Sequence, residues 1–192
     1  KIKGVSFNGK FYLAYQSSDT DLNRLHVWDP ADTEIRRVGL GALSNTADTF
    51  ASVGAGGGVD IERFYRYAWA VYNSDTSTVL RRSELSPSFA FTPSTGATGA
   101  TVTQPGGITF DREGQTHWEL YADTADTSGT FYRAATILVD SNTATTYTDG
   151  AASISNYNVN PASDDTGTNV VPRNARYMVA DEARVLLAGN FI

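Results

Sequence analysis

The residues able to do chemistry in this sequence are aspartates in polar stretches, two histidines, three tryptophans and several arginine pairs. An acid and base pair would be drawn from Asp19, Asp21, Asp123, Asp126, Asp164 and Asp165. Paired carboxylates work only when one is desolvated enough to keep its proton, and these six stand among Thr, Ser and Asn, where turn formation is the simpler reading. Asp19-Thr20-Asp21-Leu22-Asn23 copies the opening ligand positions of a calcium loop. Arg24 then stands where the loop glycine belongs and Pro30 where the bidentate glutamate belongs, which excludes an EF-hand.

His26 and His117 each sit in a strand-like run beside a tryptophan, with no second histidine at i+2 or i+4, so no metal site is expected of them. No serine lies in Gly-x-Ser-x-Gly, and Gly54-Ala55-Gly56-Gly57-Gly58 lacks the Lys-Ser/Thr of a phosphate loop and reads as a joint. With no cysteine in the chain, thiolate catalysis, disulfides and cysteine-bound zinc are excluded. No catalytic set assembles, and no cofactor is expected. The side chains left as candidate ligand or interface contacts are Trp28, Trp118, His117, Arg81 and Arg82. Exposed indoles stack on sugar rings, and the arginines, with Arg36-Arg37 and Arg133, pair with acidic groups at subunit contacts.

Those contacts need a scaffold, and the composition says which kind. The 192 residues suit one ordinary domain with appended strands, and 41% hydrophobic residues suffice for a core. Thr and Ser number 39 and Gly 17, while Lys numbers three and Met one, a bias toward strands and turns. A net charge of -6 has the wrong sign for a nucleic-acid surface. No apolar run approaches the ~20 residues of a spanning helix, so no membrane is expected as partner. The sequence has no Asn-x-Ser/Thr acceptor. It opens on Lys1-Ile2-Lys3-Gly4 and stops on Gly189-Asn190-Phe191-Ile192, which reads as a piece of a longer polypeptide.

The strongest period lies in residues 64–72, where Tyr65, Tyr67, Trp69 and Val71 share one face and Arg66, Ala68 and Ala70 the other. The first face is expected to be core and the second exposed, so that Trp69→Ala should destabilise strongly and Arg66→Ala little. Other strands are expected at 5–7, 10–16, 24–28, 34–38, 78–83, 88–92, 100–103, 117–122, 131–138, 144–148, 175–179 and 184–188. Turns at Asn8-Gly9, Asp29-Pro30, Pro105-Gly106-Gly107 and Ser128-Gly129 separate them, the pattern of an antiparallel sandwich or barrel. Residues 4–15 and 177–189 share a strand, turn and strand pattern in which Lys10-Phe11-Tyr12-Leu13-Ala14 aligns with Arg184-Val185-Leu186-Leu187-Ala188. The flanks are therefore expected to be hairpins of a repeat array such as a propeller, or of a second β domain. Gly, Ser and Thr-rich joints at 41–58 and 153–171 divide the chain into a hairpin segment 1–43, a middle domain 44–160, and a linker with C-terminal hairpin 161–192 that pairs with the first segment.

Within the middle domain, Tyr65-Arg66-Tyr67-Ala68-Trp69-Ala70-Val71-Tyr72-Asn73 followed by Ser83-Glu84-Leu85-Ser86-Pro87 resembles the strand, polar loop and Ser-Pro turn of fibronectin type III domains. Thr116-His117-Trp118-Glu119-Leu120-Tyr121, Gly129-Thr130-Phe131-Tyr132-Arg133-Ala134-Ala135 and Thr145-Thr146-Tyr147-Thr148-Asp149 resemble its remaining strands. The succession, from Leu25-His26-Val27-Trp28-Asp29 to Pro172-Arg173-Asn174-Ala175-Arg176-Tyr177-Met178, is similar to segments of tailed-bacteriophage virion proteins. It departs from the ordinary domain in that the Tyr-x-Tyr strand precedes its partners, which leaves the strand order open. The resemblance implies an all-β, immunoglobulin-like sandwich in a tail, tail-adaptor or fibre protein. It implies a non-enzymatic role, other virion proteins or further copies of the chain as partners, and assembly into a virion in the host cytoplasm. The alternative is a carbohydrate-binding module of a depolymerase or glycosidase, with Trp28 or Trp118 against a host-surface glycan.

Overall fold

The computed structural model describes residues 2–15, 24–31, 33–41, 43, 49–54, 62–74, 78–105, 114–123, 131–140, 143–150, 157–161 and 175–189. Strands dominate and no α-helix occurs among the described residues. The chain divides into two compact units: residues 1–39, 112–114 and 171–192 form the first, and residues 40–111 and 115–170 the second.

In the first unit, β1 (Ile2–Phe7), β2 (Lys10–Tyr15), β3 (His26–Trp28) and β4 (Arg36–Arg37) form an antiparallel meander in the order β1-β2-β3-β4. Asn8 and Gly9 close the first hairpin with φ of 48° and 75°, the two left-handed residues that a two-residue turn requires. Leu25 and Ala14 are buried here. A second hairpin joins β14 (Tyr177–Asp181) to β15 (Arg184–Ala188), and β14 lies against β1.

The second unit has two sheets. The larger runs β13 (Asn158–Pro161), β11 (Tyr132–Leu138), β10 (His117–Asp123), β6 (Arg63–Tyr72), β7 (Val79–Arg82), with β8 (Phe89–Phe91) also pairing β6. The smaller runs β12 (Thr146–Asp149), β9 (Gly99–Thr103), β5 (Phe50–Val53). All pairings are antiparallel. One core unites the sheets: Tyr65, Tyr67 and Trp69 of β6 and Trp118, Leu120 and Ala122 of β10 pack with Phe50 of β5 and Val102 of β9. Leu40 and Leu43 are buried in the same core. Phe50 holds its centre, with ring centroids 5.1 Å from Tyr65, 5.1 Å from Phe89 and 5.3 Å from Phe91.

Two strands were not expected. Phe50–Val53 falls inside the joint read at 41–58 and Asn158–Pro161 inside that read at 153–171. Short runs beside glycine and serine lose their apolar signal to their neighbours, yet Phe50 supplies a core ring. A further correction concerns the face of β6 that carries Arg66, Ala68 and Ala70. It is not exposed: Ala68 and Ala70 are fully buried, and Ala68, Tyr121 and Phe131 form a second cluster covered by Phe64 and Leu85. The Arg66 guanidinium lies over the Phe131 ring, 4.5 Å from its centroid.

The edge of β6 shows how the Ser-Glu-Leu-Ser-Pro run is used. The Tyr67 and Trp69 amides donate to the hydroxyls of Ser86 and Ser83, at 2.8 and 2.9 Å. In return the Ser83 and Ser86 amides donate to the Trp69 and Tyr67 carbonyls. Two serines thereby satisfy a strand edge between β7 and β8, where a buried unpaired amide would be costly.

Candidate functional site

The Glu119 side chain is wholly out of solvent, on the face of β10 away from the inter-sheet core. Small Ala68 stands opposite it on β6 and leaves room for the carboxylate. Around it, Arg82 donates from Nε to Oε2 at 2.6 Å and from Nη2 to Oε1 at 3.1 Å. The Tyr121 hydroxyl donates to Oε2 at 2.6 Å, the Tyr72 hydroxyl to Oε1, and Arg133 Nη1 to Oε1 at 3.2 Å. Burial alone would raise the Glu119 carboxyl, but the hydrogen bonds of Arg82, Tyr121 and Tyr72 outweigh it and hold the group below its ordinary value. A carboxylate so fully donated to has no free lone pair for a substrate and no proton to give. It fastens β7, β10 and β11 together.

A second buried cluster joins the sheets. Asp149 Oδ2, on β12, accepts from Arg63 Nη1 at 2.9 Å and from the Tyr65 and Tyr157 hydroxyls at 2.7 Å each. Arg63 Nη1 also lies 2.6 Å from the Tyr157 hydroxyl. Burial, with the Asp149 charge beside them, pushes both phenols well above the ordinary tyrosine range, so they remain donors. This too is a clamp, since each lone pair it uses is filled from inside the protein.

The residues singled out from sequence fare differently. Trp118 is wholly buried in the inter-sheet core, where the alternation of β10 puts it, and its Nε1 donates to Thr145 Oγ1 at 2.8 Å. A wholly buried indole offers no face to a sugar. Arg82 directs its charge at Glu119 within the chain while its side chain keeps 36% exposure. Arg133 is committed to the same carboxylate. Arg81 is exposed on the edge strand β7.

His117 is half-buried, with Nδ1 2.8 Å from Thr116 Oγ1 and its ring 4.6 Å from that of Tyr72. It lines a shallow open depression with Thr136, Asp140, Thr143, Thr145 and Thr146. Desolvation holds its pKa below the ordinary imidazole value against the pull of Glu119. His26 is buried, and its Nδ1 donates to the Arg24 carbonyl at 2.8 Å. Among the described residues no cluster of His, Asp and Glu could hold a metal ion. Asp123 ends β10 and is buried, contrary to the polar turn expected of it, while Asp19, Asp21, Asp126, Asp164 and Asp165 lie outside the described residues.

Trp28 is the candidate indole that stays at the surface, 42% exposed at the end of β3. It belongs to a larger feature that sequence reasoning missed. Of the large hydrophobic side chains exposed among the described residues, Ile2, Trp28 and Ile35 lie on the β1–β4 segment and Tyr177, Val179, Leu186 and Leu187 on the β14–β15 hairpin, all in the first unit. The second unit exposes only Leu80 and Leu138 in this class. The chain matches no family model, no curated protein and no solved structure.

Proposed function

We propose that the chain is a non-enzymatic structural module of a tailed-bacteriophage virion, part of a tail, tail-adaptor or fibre protein, which works by packing against copies of itself and neighbouring virion proteins. The observation that carries this reading is the unequal distribution of apolar surface. The second unit closes its own core, whereas the first exposes Ile2, Trp28, Tyr177, Val179 and Leu186. Covering such residues contributes roughly 25 cal/mol per Å² of apolar area before ordering costs.

The fibronectin type III-like reading of the second unit is part of the proposal. It is supported by the larger sheet, β13-β11-β10-β6-β7 with β8 on β6, facing a three-strand sheet across one core. It is supported also by the serine pair that closes the edge of β6. The reading of the first unit as propeller-like is supported by a four-stranded antiparallel meander accompanied by a second hairpin, β14–β15.

Trp28 favours one alternative, a carbohydrate-binding module, because its indole is exposed. Two measurements separate the readings. Mass spectrometry of purified particles should detect the chain, and its absence from them would end the structural reading. A glycan array should show no binding that disappears with Trp28→Ala; such binding would favour the alternative.

A further inference from the structure

The Glu119 clamp leaves part of its own donor set unused, on the outer face of the larger sheet. Cross-strand register places His117, Glu119 and Tyr121 of β10 on that face, opposite Leu138, Thr136 and Arg133 of β11. All of these residues belong to the second unit, so nothing here depends on how the first unit packs. Arg82 uses Nε and Nη2 on Glu119, and Arg133 uses Nη1 on Glu119 and on the Tyr72 hydroxyl. Arg82 Nη1 and Arg133 Nε and Nη2 have no acceptor among the described residues, and none of the three is buried.

Two guanidinium groups share one carboxylate, which leaves the cluster with a surplus positive charge. Both are tied to the same oxygen, Glu119 Oε1, at 3.1 and 3.2 Å. Their open donors are thereby fixed side by side before any ligand arrives, which lowers the ordering cost of binding. A planar oxyanion of single charge matches such a pair in sign and in fork geometry.

The arginine heads adjoin the depression beside His117. The Tyr72 hydroxyl lies 3.1 Å from Arg133 Nη1 and 3.5 Å from Thr136 Oγ1, and Thr136 lines the depression with Leu138, Asp140, Thr143 and Thr146. Thr136, Thr143 and Thr146 are exposed, and each hydroxyl can both donate and accept. Leu138 is 65% exposed on the same strand face as Thr136, about 7 Å along it, which leaves room for a single ring. Asp140 stands beyond Leu138, where its charge repels a carboxylate and accepts from hydroxyls. The two ends of the surface therefore differ in sign, and a ligand with one acidic end and one hydroxylated end is oriented by that difference.

We propose that this face binds a sugar acid, a hydroxylated ring carrying one carboxylate. The carboxylate is received by the open N–H groups of Arg82 and Arg133. The ring lies on Leu138, and its hydroxyls meet the threonines of the depression.

An amide NMR titration of the whole chain tests this, with sodium glucuronate, sodium acetate and glucose as probes at equal ionic strength. Glucuronate should shift the Thr136, Leu138 and Thr143 amides saturably. It should bind about tenfold more tightly than acetate, which lacks the ring, or glucose, which lacks the carboxylate. Arg133→Gln removes the charge, and Thr136→Val removes an exposed hydroxyl at a strand position that valine suits. Each should weaken glucuronate about tenfold, with the rest of the amide spectrum confirming the fold, and Thr136→Val decides the matter if Arg133→Gln does not fold. Arg81→Gln, at the neighbouring exposed arginine, should leave the affinity unchanged. Absence of a saturable shift, acetate or glucose binding as tightly as glucuronate, or an affinity unchanged in either folded site variant would overturn the proposal. An equal loss in Arg81→Gln would overturn it too, as general charge attraction.

Discussion

Trp69 and Trp118 are direct cross-strand partners on β6 and β10, and both indoles enter the core between the two sheets. Trp118 is the better enclosed, wholly buried against 5% exposure for Trp69, and its ring meets Tyr67 edge-on at 6.1 Å. Trp69→Ala and Trp118→Ala should each cost about 3–5 kcal/mol in denaturant unfolding. The double variant should lose less than the sum, because the cavities adjoin and share neighbours. Full additivity would mean that the two rings do not share a core.

The opposite face of β6 sets a second expectation. Ala68 is fully buried against Tyr121 and Phe131, so Ala68→Leu should cost about 1–3 kcal/mol through overpacking. Arg66→Ala should cost about 1 kcal/mol, from the lost contact with the Phe131 ring. A neutral Ala68→Leu in the same unfolding assay would show that this face is open.

Ser83 and Ser86 make a local and separable test. Removing either hydroxyl leaves one buried amide of β6 without its acceptor, at a cost of about 1–3 kcal/mol. Hydrogen exchange should accelerate at the Trp69 amide in Ser83→Ala and at the Tyr67 amide in Ser86→Ala. Exchange unchanged at both would show that the serines do not close the edge.

These elements differ in how far the sequence reveals them. The β6 alternation and the Asn8-Gly9 turn are local patterns, with periods of two residues and one dipeptide, and both are plain in the chain. The inward set Tyr65, Tyr67, Trp69 and Val71 follows from that period. The outward set misleads, because alanines pack against what covers them and carry no period of their own. The ionic clamps are illegible for a different reason. Arg82 and Glu119 are 37 positions apart and Arg63 and Asp149 are 86 apart, so only sheet pairing brings them together. The sign available in sequence was a glutamate between Trp118 and Leu120, a charged residue in an otherwise apolar strand. Strand β5 was hidden by its glycine-rich neighbourhood.

The Glu119 clamp predicts an acid limb. Its carboxyl is lower in the folded state than in the unfolded chain, so its contribution is complete above the ordinary glutamate value near ~4.3 and is lost as pH falls through the folded value. Glu119→Gln should cost about 3 kcal/mol at neutral pH, at the low end for a buried pair because the Arg82 side chain keeps 36% exposure. It should also flatten the fall in stability below pH ~4. The lowered pKa of His26 and His117 adds a shallower decline, beginning as pH drops below ~6.5, where the unfolded chain takes up protons first. An unchanged acid limb in Glu119→Gln would contradict the clamp.

Asp149 should behave as a stronger clamp, since both charges are enclosed: side-chain exposure is 7% for Arg63 and 0% for Asp149. Asp149→Asn should cost about 3–5 kcal/mol by leaving the guanidinium buried and uncompensated. Replacing Arg63 by Met together with Asp149→Asn should recover part of that loss. Thermal unfolding of the three variants checks it, and a neutral single substitution would contradict the buried pair.

We propose that the apolar strands of the first unit are a packing surface. Hydroxyl-radical footprinting of the chain, free in solution and within purified particles, tests it most directly. Ile2, Trp28, Tyr177, Val179 and Leu186 should be oxidised readily in the free chain and protected in particles. Equal oxidation of these five residues in both states would contradict the account.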